Sequence, residues 1–404
     1  MNVLQINAYE TPGKRFNGLA IAPLLEKYNI YSKHFVWYKD TDNSDILTLP
    51  LSVKKTNAFL MKVEHYLSLQ SVILPNVKKI IQLPEFKAAD LIHLHIIHNG
   101  FISFGDLPKL THLKPTVWTI HDPWVMTGHC IHPDKCQRWK IGCGSCPDLK
   151  RQIPLIMDTT KWLFKYKQKA YKKSKFDLIV ASSWMRNMIS QSPMFDDTVK
   201  THHVPFGIDI KFFNNNNNSD IREKYNITND MVTICFRSDD NEHKGIEYII
   251  EALKKIKTSK PICILTIGRK PLKNILENRF KVIDLGWVDN EYDLRNAYLA
   301  ADMFLMPSVN EAFGLMAVEA MACGKPLIVF QDTALPDVTF APEVGISVPK
   351  RDVNALKLAI EQLIDNPLER IKRGMDGRKI VEKHYDEKLH AKQIADIYHE
   401  IVNR

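Results

Sequence analysis

Four side chains in the second half of this chain have the types and spacing for anion chemistry: Arg237, Lys244, Glu311 and Glu319. Arg237 follows the apolar run TICF, and Lys244 stands just before Gly245, where a helical pattern opens. A guanidinium at a strand end and an ammonium at a helix N-terminus can grip a diphosphate without a metal. A plain surface Arg and Lys is the alternative, common in a chain with 55 basic residues. The two glutamates lie in PSVNEAFGLMAVEAMACGKP (307–326), a small and apolar run where an unpaired buried carboxylate is costly. A helix beginning near Phe313 puts Glu311 in the loop before it and Glu319 two turns inside. Both then border a helix N-terminus, where free N–H groups and the helix dipole stabilise a phosphate. Capping by Glu311 and a surface place for Glu319 are the ordinary readings. They are outweighed because AFGLMAVEAMA is apolar on nearly every side.

The elements that must hold these residues are short buried strands alternating with amphipathic helices. Strand patterns fall at 3–7, 90–95, 116–121 and 177–183, then at 233–238, 262–268, 303–308 and 326–330. Helical patterns at 245–257 and 354–364 lie between or after them. Such alternation implies parallel sheets covered on both faces. A break is expected at the asparagine run FFNNNNNSD (212–220), which cannot bury apolar area. The expected fold is therefore α/β, with two doubly wound Rossmann-like domains facing a central cleft. Ligands of such sheets bind beyond the carboxyl ends of the strands, where all the singled-out motifs lie.

Bulk composition narrows the class. At 404 residues the chain suits two domains, and no apolar run is long enough to span a bilayer. The N-terminus lacks a basic region followed by an apolar core, so a cytoplasmic location is expected, at or near the inner face of the cell membrane. A net charge of +9 suits nucleotide phosphates or anionic lipid, while no helix-turn-helix, zinc finger repeat or aromatic-basic signature points to nucleic acid. Segment 159–175 interleaves aromatics with lysines. It fits a peripheral helix on an anionic membrane, or an ordinary helix with Trp162, Tyr166 and Ala170 facing the core; the second is favoured.

Four of the seven cysteines, Cys130, Cys136, Cys143 and Cys146, crowd into one loop. The terminal Cys-x2-Cys with two further cysteines suits a tetrahedral zinc site of structural role, against reduced free thiols or ligands shared with His129 or His132. His93, His95 and His98 alternate at a strand end without making a metal site the better reading. The Asp-x-Asp at 40–42 lies in a polar loop and is taken as coincidence.

Arg at the end of the second half's first strand, then Lys-Gly, then Glu-x7-Glu in NEAFGLMAVEA, together resemble family 4 of the retaining glycosyltransferases, which have the GT-B fold. The resemblance runs from about residue 90 to the C-terminus with the motifs in order. It implies an acceptor-side domain over 1–211, a nucleotide-sugar domain over 212–386, and a last helix over 387–404 packing back on the first. It also implies that Arg237 and Lys244 hold the diphosphate and that Glu319 accepts from the ribose hydroxyls. Glu311 then sits by the transferred sugar, and the backbone of Phe313, Gly314 and Leu315 binds sugar hydroxyls or phosphate. His121, in the TIHD position, contacts the donor sugar. Some members carry cysteine insertions after this motif. No cofactor is required for catalysis.

The function so implied is retaining, metal-independent transfer of a hexose from a UDP- or GDP-sugar to a glycan or lipid-linked acceptor in cell-surface polysaccharide synthesis. No base and nucleophile face each other in the motifs, so front-face transfer is expected. A nucleotide-sugar epimerase of the same fold and a non-catalytic nucleotide-sugar-binding scaffold are the rival readings. Where the family carries paired glycines after the first strand, this chain has isolated Gly13 and Gly18.

Overall fold

The structure is a computed structural model describing all residues except 12, 13, 99, 217 and 218; Gly13 thus lies outside the described residues. The chain divides into two compact units, one of Met1–Phe206 with Lys388–Arg404 and one of Gly207–Glu387.

The first unit is built on seven strands: β1 Asn2–Tyr9, β2 Tyr31–Tyr38, β3 Ile46–Leu47, β4 Leu91–Leu94, β5 Thr116–Ile120, β6 Asp177–Val180 and β7 Thr201–His203. They pair in parallel in the order β3-β2-β1-β4-β5-β6-β7. The second unit carries β8 Val232–Arg237, β9 Ile262–Ile267, β10 Lys281–Asp284, β11 Met303–Met306, β12 Leu327–Phe330 and β13 Ile346–Val348. Their order is β10-β9-β8-β11-β12-β13, again parallel throughout. Each sheet therefore reverses direction beside its first strand, between β1 and β4 and between β8 and β11. At such a switch point the flanking crossovers run to opposite faces, and the space beyond the strand ends is left open for a ligand.

Helix periodicity explains how the sheets are covered. The helix Ile246–Lys255 buries Ile246, Ile249, Ala252 and Leu253 against the second sheet. The helix Val353–Asp365 buries Leu356, Ala359, Ile360, Leu363 and Ile364 in the same core. Its start is fixed by Asp352, whose carboxylate accepts the N–H groups of Asn354 and Ala355, both at 2.9 Å. In the first unit the last helix, Glu387–Val402, buries Ala391, Ile394, Ala395, Tyr398 and Ile401 among Val3, Leu25, Ile30, Leu91 and Val117.

Two details differ from the sequence reading. The division falls at Phe206/Gly207, ahead of the asparagine run. Phe213 is buried in the second unit, and Arg378 donates to the carbonyls of Ile210 at 3.0 Å and Phe213 at 2.6 Å, tying this stretch down. The helix Thr160–Lys172 also buries Ala170 as expected but leaves Trp162 outside. Trp162 is 49% exposed, while Leu163, Phe164, Lys167, Ala170 and Tyr171 are buried. Lys167 is tolerated there because its ammonium donates to the carbonyls of Trp124 at 2.9 Å and Thr127 at 3.1 Å and lies 3.4 Å from the centre of the Trp124 ring. Burial still pulls its pKa down to about 7.

The first sheet's core holds several histidines. Burial lowers His34, His121 and His390 to about 4, against the pull of Asp45, Asp122 and the Pro205 carbonyl respectively. Unfolded, each would titrate near 6.5, so between those values the unfolded chain binds protons that the folded chain refuses. Their stabilising contribution is whole above pH 6.5 and is lost as pH falls toward 4. Thermal melts should show the first unit weakening by roughly 1 kcal/mol per pH unit for each histidine across that window. A melting temperature unchanged from pH 7 to 5 would contradict this.

Candidate active site

Within the second unit, the switch point between β8 and β11 gathers most of the singled-out residues. Arg237 closes β8, and its guanidinium pairs with Asp239 two residues later. The other oxygen of Asp239 accepts the Arg269 N–H at 3.1 Å. Trp287 lies against both guanidinium groups, 5.3 Å from Arg237 and 4.5 Å from Arg269, so stacking and ion pairing together hold Arg237 at the strand end. The chain then makes a tight turn over Glu242–Lys244, started by Asn241, whose side chain accepts the His243 N–H at 2.9 Å.

Gly245 decides where that turn can sit. Its φ is +70°, and a Cβ there would stand 2.0 Å from the Pro307 carbonyl oxygen. Only glycine lets the turn lie directly on the end of β11. The contact is reinforced by the Val309 N–H donating to the His243 carbonyl at 2.9 Å and by Asn310 Nδ2 at 3.0 Å from His243 Nδ1. Lys244 Nζ thereby comes to 2.8 Å from Glu311 Oε2, with both side chains largely buried. Ser308 Oγ, buried at the same strand end, has no hydrogen-bond partner among the described residues.

The helix expected near Phe313 begins at Leu315 and runs to Ala322. Gly314 precedes it at a φ of +100°. Phe313 is buried, with its ring edge-on to Tyr385 at 5.8 Å. Glu311 stays in the loop, its carbonyl accepting the Ala334 N–H at 3.0 Å. Glu319 sits in the second turn with 0% exposure, and the Tyr298 hydroxyl donates to its Oε2 at 2.9 Å. Tyr298, Trp287, Asp239 and Ser308 were not among the residues read from sequence. Only Trp287, a lone aromatic shortly after β10, leaves any local trace.

In the first unit, His121 follows β5 directly. Its ring is stacked on Phe206 at 5.7 Å and lies 5.1 Å from Phe16. Its Nε2 is 3.2 Å from Nδ1 of His95. With its pKa near 4 the ring is neutral at pH 7 and serves as a hydrogen-bonding group rather than a cation. Asp122 caps the turn Pro123–Met126 by accepting the Trp124 N–H at 2.9 Å and faces His98 at 3.5 Å.

Cys130, Cys136, Cys143 and Cys146 line one cavity together with His129. The Gly128 N–H points at Cys143 Sγ at 3.2 Å, and His129 Nε2 lies 3.3 Å from Cys146 Sγ. Burial pushes Cys130 up to about 12 and Cys143 to about 11, which keeps both as neutral thiols. Among the described residues, no group of three or more His, Cys, Asp or Glu side chains is arranged to hold a metal ion. The residues therefore share a pocket without forming a ligand set.

Residues 217–380 match the family described as Glycosyl transferases group 1. A GDP-mannose-dependent monoacylated α-(1-6)-phosphatidylinositol monomannoside mannosyltransferase of Corynebacterium glutamicum is 27% identical over 211 residues, covering 48% of this chain and 55% of that enzyme. The chain thus spans about half the length of the curated relatives it matches. Among solved structures, a sucrose-phosphate synthase from Thermosynechococcus elongatus is similar over 99% of both chains, with a TM-score of 0.72 and 19% identity. The Anabaena protein HepE, solved with UDP, is similar over 99% of this chain and 100% of its own, with a TM-score of 0.66 and 15% identity. These likenesses show the fold, two doubly wound α/β units of GT-B architecture. The family likeness thus rests on residues 217–380, which are similar to the glycosyl transferases of group 1.

Proposed function

We propose that the protein is a retaining, metal-independent glycosyltransferase that moves a hexose from a UDP- or GDP-sugar to a hydroxyl of a glycan or lipid-linked acceptor. The observation that carries this reading is the gathering of Lys244 and Glu311 at the switch point between β8 and β11, with Arg237 closing β8 and a glycine-led helix N-terminus following. A diphosphate bound by both cations would also meet the N–H groups and dipole of that helix. The relatives support the donor class: the Corynebacterium enzyme uses GDP-mannose, and HepE was solved with UDP.

In the proposed reaction the bond between the sugar C1 and the diphosphate oxygen breaks as the acceptor oxygen bonds C1 from the same face. The departing phosphate oxygen takes the acceptor's proton. Arg237 and Lys244 stabilise the charge that develops on the leaving group, which is where preorganised cations contribute most. Metal independence is supported by the way the carboxylates are engaged: Asp239 by Arg237, Glu311 by Lys244 and Glu319 by Tyr298. Glu319 would read the ribose, and His121 would contact the sugar.

Slow donor hydrolysis in EDTA tests this without knowledge of the acceptor. One UDP- or GDP-hexose should release nucleoside diphosphate, and the first sugar seen by proton NMR should keep the donor's anomeric configuration. An inverted first product, or turnover that needs a divalent cation, would contradict the reading. An isomerised sugar would favour an epimerase, and binding without release would favour a scaffold.

A structural zinc in the cysteine loop is a separate proposal, supported by four thiols lining one cavity. As placed they form no ligand set, and no chemical step passes through a metal. Metal analysis of the purified protein should find about one zinc per chain, the stoichiometry of a four-thiolate site. No zinc, with all four thiols open to a thiol reagent, would remove the proposal.

A further inference from the structure

The first unit contains a continuous hydrogen-bonded line of side chains that ends on His121. Thr119 Oγ1 lies 2.7 Å from Nε2 of His93, and Nδ1 of His93 lies 2.6 Å from the Tyr398 hydroxyl. Gln5 Nε2 donates to that hydroxyl at 3.0 Å, while Gln5 Oε1 is 2.8 Å from Nε2 of His95. Nδ1 of His95 then faces Nε2 of His121 at 3.2 Å. The line draws on β5, β4, the last helix and β1 before it reaches the segments that follow β4 and β5. All of its members before His121 are at most 3% exposed.

Because these groups are buried, every donor needs an acceptor, and the protons can be placed one after another. The Gln5 carbonyl oxygen can only accept, so His95 carries its proton on Nε2 and leaves Nδ1 as an acceptor. His121 must then donate from Nε2, which leaves its own Nδ1 as a lone pair. On the other side the Gln5 amide donates to Tyr398, Tyr398 donates to His93 Nδ1, and His93 Nε2–H donates to Thr119. The orientation of Gln5 decides the whole line. Turned end for end, its amide would donate to His95, and the proton of His121 would move to Nδ1. Ser32 Oγ, 3.5 Å from Gln5 Nε2, gives the amide a second acceptor on the side where it now points. Gly18 lets the chain pass close to this amide: a Cβ there would lie 2.8 Å from Gln5 Oε1.

We propose that Gln5, His95 and Tyr398 are positioning residues that fix His121 as its Nε2–H tautomer, so that Nδ1 is presented as a hydrogen-bond acceptor to the ligand. The ring cannot easily turn to exchange the two nitrogens, because Phe206 is stacked on it and Phe16 packs against it. The last helix, returning from the far end of the sequence, thereby sets a proton position beside β5. The ligand part of this inference rests on the proposed function, in which a sugar hydroxyl donates to Nδ1; the tautomer itself does not.

The test is nitrogen NMR of the full chain with 15N-labelled histidine, at pH 7, in wild type, Tyr398→Phe and Thr119→Val. In wild type the His121 Nε2 signal should have the shift of a protonated nitrogen and Nδ1 that of a bare one. In either variant that keeps its cooperative melt, His121 should become a mixture of tautomers. Affinity for the sugar nucleotide should fall by the share of the competent tautomer that is lost, about twofold for an even mixture, with affinity for the nucleoside diphosphate unchanged. A wild-type His121 protonated on Nδ1 would overturn the assignment outright, even if neither variant folds. A folded variant that keeps the single Nε2–H form would overturn the positioning role. If His121→Ala leaves sugar-nucleotide binding unchanged while the tautomer result holds, the donor contact fails and the relay stands.

Discussion

The second unit depends on one close approach, the turn at Gly245 lying on the carbonyl of Pro307. That contact brings two loops from either side of the switch point together and allows Lys244 to meet Glu311 at 2.8 Å. Each charge is mostly withdrawn from water and would be costly alone, so each holds the other in place. In the proposed function, a diphosphate would take over the lysine without having to order it first. The same logic applies to Arg237, held ready by Asp239 and Trp287. The cations are pre-positioned at the cost of internal ion pairs, which a more highly charged anion can displace.

The first unit solves a different problem with neutral groups. Its sheet is threaded by histidines that burial keeps uncharged at pH 7, and three of them, His93, His95 and His121, are joined in one line through Gln5, Tyr398 and Thr119. A network of this kind is stable only when complete, since one missing partner leaves a buried polar atom unpaired. The last helix is therefore more than a lid on apolar surface. It contributes Ile394 and Ala395 to the core and Tyr398 to the polar line.

Much of the scaffold was legible in the sequence. The central strands β1, β4, β5, β6, β8, β9, β11 and β12 are short apolar runs, because strands covered on both faces leave no polar side. The strands missed were β2, β3, β7, β10 and β13, in which lysine, serine, histidine or brevity blurs the pattern. Arg237, Lys244 and Glu311 could be placed because strand ends and glycine turns mark themselves locally. The partners that define their chemistry could not. Tyr298 reaches Glu319 across 21 residues and Tyr398 reaches Gln5 across 393, and nothing local announces either contact. The burial of Lys167 was hidden for the same reason: a lysine reads as surface until the carbonyls of Trp124 and Thr127 are seen beneath it.

The most direct test of the account is calorimetric titration of UDP and GDP, in EDTA, into wild type, Lys244→Ala and Glu311→Ala. If Glu311 stores the lysine for the diphosphate, one nucleotide should bind wild type and lose at least about tenfold with Lys244→Ala, as expected for removal of a charge-assisted contact. Glu311→Ala should bind that nucleotide as tightly as wild type or more so, because the competing carboxylate is gone. Equal binding by wild type and Lys244→Ala, or weaker binding by Glu311→Ala than by Lys244→Ala, would contradict it. The pair would then be a structural clasp, and the diphosphate seat would have to be sought elsewhere.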